Sequence, residues 1–201
     1  MAKLYYLGHC SFRIVTDENK VIYLDPYAGS NYSLKADYVF ISHEHYDHND
    51  LSKVNVDEKT NTIRAKDCIV LENNTISYKT FADNYLKVIS TPAGNLNHPL
   101  VSSVGFILEF DNKKIYFAGD TSYLPFMKDN LPSFNLDYAI LPCDGIYNMD
   151  ILEAMQVAKV IKARKVIPMS LLPGNLYSET LARRFNIDNA LLLRPDEEII
   201  L

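Results

Sequence analysis

One pattern occurs twice in this chain and constrains its fold more than any other feature. Ser11-Phe12-Arg13-Ile14-Val15-Thr16-Asp17 runs into Asn19-Lys20-Val21-Ile22-Tyr23-Leu24-Asp25, and Gly105-Phe106-Ile107-Leu108-Glu109-Phe110-Asp111 runs into Asn112-Lys113-Lys114-Ile115-Tyr116-Phe117, ending at Asp120. Each copy reads as a strand, a turn of Asp/Asn type and a second strand. Further on, Asp37-Tyr38-Val39-Phe40-Ile41 is echoed by Asp137-Tyr138-Ala139-Ile140-Leu141. Both are short continuous apolar runs suited to strands covered on two faces. The repeat predicts two similar β-rich halves facing each other. A site would then lie between their strand ends, where ligand sites of α/β folds commonly sit.

Helical signals are fewer. The clearest runs from Asp150 to Lys162, with Asp150 as N-cap, Glu153 three residues on, and Ile151, Ala154, Met155, Ala158 and Ile161 along one apolar face. Arg164 and Lys165 are expected to close its basic end. Shorter helices are expected at Asn49–Lys53 and Ser178–Phe185, and further strands at Lys3–Leu7, Cys68–Leu71, Thr75–Phe81, Leu86–Ser90, Lys165–Pro168, Leu191–Leu193 and Glu198–Leu201. Strands that alternate with helices only in places indicate a layered α/β sandwich with mixed sheets. The 201 residues, 48% of them hydrophobic, suit a single domain over 1–201 with a substantial core.

Composition narrows the function classes. A formal charge of −5 with scattered lysines and arginines gives no basic stripe, so no nucleic-acid partner is expected and a small-molecule substrate is. Cys10, Cys68 and Cys143 are far apart and form no Cys-x-x-Cys pair, which suggests reduced thiols in a cytoplasmic protein rather than a disulfide framework or a zinc knuckle. The N-terminus turns polar too early for a signal peptide, and no apolar run is long enough for a membrane span.

The first of the echoed apolar runs ends in Ser42-His43-Glu44-His45-Tyr46-Asp47-His48, which holds three of the five histidines. Imidazoles and carboxylates are ligands that borderline divalent cations such as zinc prefer, and crowding them is costly unless a cation holds them together. His98, in Thr91-Pro92-Ala93-Gly94-Asn95-Leu96-Asn97-His98-Pro99, and Asp120, in Gly119-Asp120-Thr121, are remote partners for such a site.

In these three motifs, in this order, the chain resembles the metallo-β-lactamase superfamily of metal-dependent hydrolases. Gly8-His9-Cys10-Ser11-Phe12, Leu24-Asp25-Pro26-Tyr27 and Val166-Ile167-Pro168-Met169 are similar to the branch that includes the ascorbate-phosphate lactonases. The resemblance implies a four-layer αββα sandwich with two mixed sheets and two pseudo-equivalent halves. It implies one metal position held by His43, His45 and His98, and a second held by Asp47 and His48, with Asp120 bridging. Asp47 and Asp120 would be the catalytic carboxylates, one or two Zn2+ ions the cofactor, with Mn2+ or Fe2+ in their place as variants. Metal-activated water would then attack an ester, lactone or phosphodiester. Asp25 would orient a ligating histidine. His9 reads either as a positioning or substrate-contacting group or as a histidine satisfied by the backbone. Tyr27, Tyr46 and Tyr147 stand where a phenol could steady an oxyanion.

The chain departs from that family in one place. Members with two metals carry a histidine where this chain has Ser170, after Ile167-Pro168-Met169. A serine hydroxyl is a poor ligand, so the second position is expected to be weak, to recruit a substitute such as Asp144, or to have lost its chemistry. The last outcome would leave a non-catalytic metal- or ligand-binding domain.

Overall fold

The repeated pattern folds into a repeated arrangement of strands. In the computed structural model, which describes residues 1–201, β1 (Lys3–Gly8), β2 (Ser11–Val15), β3 (Val21–Leu24), β4 (Tyr38–Ile41) and β5 (Asn61–Arg64) lie side by side in chain order. The first three are antiparallel, and β3, β4 and β5 are parallel. After a small hairpin of β6 (Ile69–Glu72) and β7 (Thr75–Tyr78) and the edge strand β8 (Thr80–Ala82), the order recurs. It comprises β9 (Lys87–Pro92), β10 (Val104–Phe110), β11 (Lys113–Phe117), β12 (Tyr138–Pro142) and β13 (Lys165–Met169), with the same sequence of antiparallel and parallel pairings. β14 (Glu198–Ile200) closes the first sheet beyond β1.

The equivalence extends to single hydrogen bonds. Ile22 pairs with Tyr38 and Ile115 with Tyr138. Asp37 accepts from the Val21 amide at 2.9 Å, and Asp137 accepts from the Lys114 amide at 3.0 Å. The turns between paired strands put Asn19, Asp111 and Asn112 at positive φ, a conformation that Asn and Asp tolerate better than most residues.

The two sheets face each other across the main core. Phe12, Ile14, Ile22, Leu24, Tyr38 and Phe40 from one sheet meet Phe106, Leu108, Ile115, Phe117, Ile140 and Ile167 from the other. Alternate residues of the same strands face outward. Val21, Tyr23, Val39 and Ile41 pack under Tyr32 and Val54, and Ile107, Tyr116, Ala139, Leu141 and Val166 pack under Met127, Ala154, Val157 and Ala158. That two-sided burial is why the strands are apolar throughout instead of alternating. The helical cover is α2 (Pro125–Asp129), α3 (Ile151–Ile161) and α4 (Glu179–Ala182), all on the second half, while α1 (Ala65–Cys68) is a single turn after β5.

Several local expectations are corrected. The helix expected at Asn49–Lys53 is one 3-10 turn over Leu51–Lys53, so the layer outside the first sheet is mostly loop. The helix expected at Ser178–Phe185 is regular only over Glu179–Ala182. Thr75–Phe81 is split at Lys79, whose amide turns to the Cys68 carbonyl and whose carbonyl takes the Ser90 amide. Leu191–Leu193 is no strand and makes one backbone bond, Leu191 to Val166. Asp150 caps α3 as expected, accepting from the Glu153 amide, but the Glu153 carboxylate turns to the Tyr123 amide. Lys162, left-handed, ends that helix, and Arg164 pairs with Asp137 instead of serving the helix terminus.

Candidate metal centre

Both halves deliver residues to one end of the sandwich. Asp25 follows β3, Ser42 and His43 follow β4, Asp120 follows β11, Asp144 follows β12 and Ser170 follows β13, while His9 and Cys10 form the β1–β2 turn and His98 lies in the loop after β9. Two backbone bonds tie the halves together here, from the Val104 amide to the Ser42 carbonyl and from the Ser170 amide to the His9 carbonyl, each 3.0 Å. Gly119 sits at φ 63°, and a Cβ there would meet the Val104 carbonyl oxygen at 2.7 Å, so glycine lets Asp120 enter beside Ser42. His9, Asp25 and Ser170 also take positive φ at this edge.

The imidazoles are held by one nitrogen each. Ser42 Oγ donates to Asp25 Oδ2 at 2.6 Å, which uses its only proton, so the 3.0 Å contact between Ser42 Oγ and His43 Nδ1 is an N–H donated by the ring. His48 Nδ1 donates to the same Asp25 oxygen at 2.7 Å, and His98 Nδ1 donates to Asn95 Oδ1 at 3.0 Å. All three rings therefore carry a proton on Nδ1 and turn Nε2 toward the site. His43 Nε2 and His48 Nε2 are buried without a hydrogen-bond partner. An orphaned buried acceptor is costly unless something absent from the protein chain satisfies it.

The donor atoms are spaced as ligands of shared cations would be. His45 Nδ1 lies 3.2 Å from His98 Nε2, and the ligating atoms of His43, His45 and His98 all lie within 4.8 Å of one another. Asp120 Oδ2 is 3.5 Å from both His98 Nε2 and His48 Nε2, between the two groups. Edges of about 3.5 Å are those of a tetrahedron around zinc with bonds near 2 Å. Asp47 Oδ2 is reached by His9 Nε2 at 3.3 Å. The donor set thus fits one cation at His43, His45 and His98, with His48 and Asp120 facing each other beside it and Asp47 held by His9.

Electrostatics agree with that fit. Burial, reinforced by His48, pushes the His43 pKa down to about 2, and burial also lowers that of His98. Burial alone would favour a neutral Asp120, yet His48 and His43 hold its carboxyl well below the usual range. At Asp47 burial again opposes ionisation, and His9 and His48 together overcome it and lower the pKa. Burial opposes charge on His48 too, but Cys10, Asp120 and Asp25 crowd it and push it well above the ordinary imidazole value. Neutral His43 and His98 beside ionised Asp47 and Asp120 are in the state that metal ligands need, while His48 holds a proton that a cation bound there would displace.

The centre opens into a cavity of about 470 Å³ lined by His9, His45, Asp47, His98 and Asp120, with Tyr46, Tyr147, Asn97, Asp144, Ser170 and the Pro173-Gly174 turn around its mouth. No lysine or arginine lines it. Asp144 and Ser170 share this cavity, but Asp144 Oδ1 accepts from the amides of Ile146, Tyr147 and Asn148, and its Oδ2 takes the Asn148 side-chain amide at 2.6 Å and the Ser170 hydroxyl at 3.4 Å. The carboxylate is bound into its own turn. His9 is not satisfied by the backbone, since its Nδ1 has no partner. Tyr27 stacks edge-on against His9 and Tyr46, one step removed from the cavity mouth.

Sequence reasoning missed Ser42 and Asn95, the residues that set two of the tautomers. Both stand near candidate ligands, but nothing in a serine or asparagine marks it as a histidine's anchor until the fold sets the ring against it.

Comparison with known proteins agrees with the geometry. The family model described as beta-lactamase superfamily domain matches residues 3–170. A UPF0173 metal-dependent hydrolase of Thermococcus onnurineus is 30% identical over 195 residues, covering 84% of each chain. One from Nanoarchaeum equitans is 28% identical over 220 residues, covering 98% of this chain and 99% of the other. A metallo hydrolase from the archaeon Ignicoccus hospitalis shares the fold, with a TM-score of 0.74 at 21% identity over 98% of this chain and 97% of that one. No helix is long and apolar enough to cross a membrane.

Proposed function

The chain belongs to the beta-lactamase superfamily, among its UPF0173 metal-dependent hydrolases, and from that premise we propose that it hydrolyses a neutral ester or lactone. The centre would be one or two zinc ions, or manganese or iron in their place, on His43, His45, His98, Asp47, His48 and Asp120. The observation that carries this reading is the pair of buried, unpartnered Nε2 atoms on rings whose Nδ1 protons are already committed. Cations bound there supply Lewis acidity and a water ionised near neutral pH.

The protein's own part is positioning. Asp25 fixes His48 directly and His43 through Ser42, so one buried carboxylate orients a ligand in each group. Asp47 and Asp120 are the carboxylates beside the reacting space, with Asp47 able to accept a proton at the oxygen that faces His9. Tyr46 and Tyr147, both exposed at the mouth, would contact the substrate.

The lining favours an uncharged substrate. Asp47, Asp120 and Asp144 share it without a lysine or arginine, so an anionic group beyond the cations' reach would find only carboxylates. That argues for carboxylic esters and lactones over phosphodiesters and over substrates bearing a separate phosphate. Comparing kcat/KM of the metal-loaded protein on neutral esters and lactones with that on a generic phosphodiester tests this. A preference of tenfold or more for the neutral class is expected. Equal or reversed rates would refute the substrate class, and inertness on every member after metal loading would refute hydrolysis of these classes.

A further inference from the structure

The second cation position is one ligand short, and the residue turned toward the gap is a cysteine. Ser170, where a further imidazole would be expected, has its hydroxyl on Asp144. Asp144 in turn is engaged by three backbone amides and a side-chain amide of its own loop, so neither completes the set. The Ser170 amide, however, bonds the carbonyl of His9, which places the deficient segment against the β1–β2 turn that carries Cys10.

Cys10 is fully buried and not in a disulfide. Its sulfur lies 3.8 Å from Asp120 Oδ1. The other oxygen of that carboxylate is 3.5 Å from His48 Nε2. Ligating atoms of His9, Cys10 and His48 fall within 4.8 Å of one another, and all three residues are buried. Two of them present nitrogens that make no hydrogen bond, His9 Nδ1 and His48 Nε2. A zinc–sulfur bond of about 2.3 Å and a zinc–oxygen bond of about 2.1 Å at a tetrahedral angle put sulfur and oxygen roughly 3.5 Å apart, close to the spacing seen.

We propose that Cys10 is a ligand of the second cation, completing with His48, Asp47 and Asp120 the position that Ser170 leaves open. This rests on the metal reading above. Binding would replace the S–H bond by a sulfur–metal bond and release the thiol proton to solvent, with no change of oxidation state. The consequence is a mixed centre: three nitrogens around one ion, and one nitrogen, one sulfur and two carboxylates around the other. A thiolate also biases that position toward zinc over manganese, because soft sulfur suits zinc and manganese prefers oxygen.

Cobalt(II) titration of the full-length protein separates the possibilities. Visible d–d bands report binding of any kind, and a near-ultraviolet thiolate-to-cobalt charge-transfer band reports sulfur ligation alone. The expected result is d–d bands with the first equivalent and the charge-transfer band only with the second. That band should survive Cys68→Ala and Cys143→Ala and vanish in Cys10→Ser. Second-ion affinity in Cys10→Ser should fall by more than about 100-fold, beyond the range for residues that merely support a ligand, with first-ion affinity within about threefold. Two equivalents bound by the wild type without a charge-transfer band would overturn the proposal while leaving the metal reading intact, and this needs no variant to fold. Binding of a single equivalent would do the same. No binding at all would overturn both.

Discussion

Asp25 is the residue on which the two proposed metal positions depend together. Its two oxygens take the Ser42 amide, the Ser42 hydroxyl and the His48 ring, and it has no solvent exposure. Asp25→Asn, which keeps the shape and tolerates the positive φ, should weaken both ions by about 10- to 100-fold in a chelator competition. Ser42→Ala interrupts only the arm to His43, so it should weaken the first ion and spare the second. Equal effects on both would show that the relay is not what orients the rings. His43→Ala and His98→Ala remove ligands outright and should lower bound metal further than either. The candidate ligands stood out in the sequence, because histidine and aspartate clustered after a buried strand have few other uses. Their supports stood out less, since Asp25 owes its role to a contact with a residue 23 positions away.

At the scale of elements, the strand ends position the chemistry and the helices do little of it. β13 is followed by Ser170, left-handed and lining the cavity. Histidine tolerates that conformation better than most residues, so Ser170→His should raise second-ion affinity in the same titration. No change would mean that the side chain at this position does not reach the ion. α4 is anchored by charge: Arg194 and Arg183 hold Glu179 and bring its pKa down to about 2 from 4.5. A depressed carboxylate contributes stability above its unfolded value and loses it as pH falls. The Tm advantage of wild type over Glu179→Gln should therefore be present at neutral pH and disappear between about pH 4.5 and 2. Strands were easier to read than helices here because their two-sided burial leaves continuous apolar runs. Asn49–Lys53 is rich in residues that favour caps and turns, and the Asp50 side chain turns back onto Ser52 and closes a single 3-10 turn.

The whole molecule is a sandwich whose halves repeat each other while their strand ends differ. Matching register puts Cys143 where the first half has His43, and Cys143 hydrogen-bonds the Leu141 carbonyl instead of joining the metal group. The repeat fixes where a site can be, and the unequal side chains decide what it does. The inter-sheet core that holds the halves in register is dense and aromatic, with Phe117 edge-on to Phe12 at 6.3 Å. Phe117→Ala should cost about 3–5 kcal/mol in denaturant unfolding. The duplication was visible from sequence because it survives in residue types as well as in pattern, whereas the meeting of His9, Cys10 and Ser170 depends on a bond between sheets that no local signal announces. The most direct measurement is an anomalous difference map at the zinc edge from crystals of the zinc-loaded protein. The expected map has its strongest peak bonded to Nε2 of His43, Nε2 of His98 and Nδ1 of His45. A map with no peak there, or with its only peak elsewhere on the molecule, would contradict the assignment of this edge of the sandwich as a metal centre.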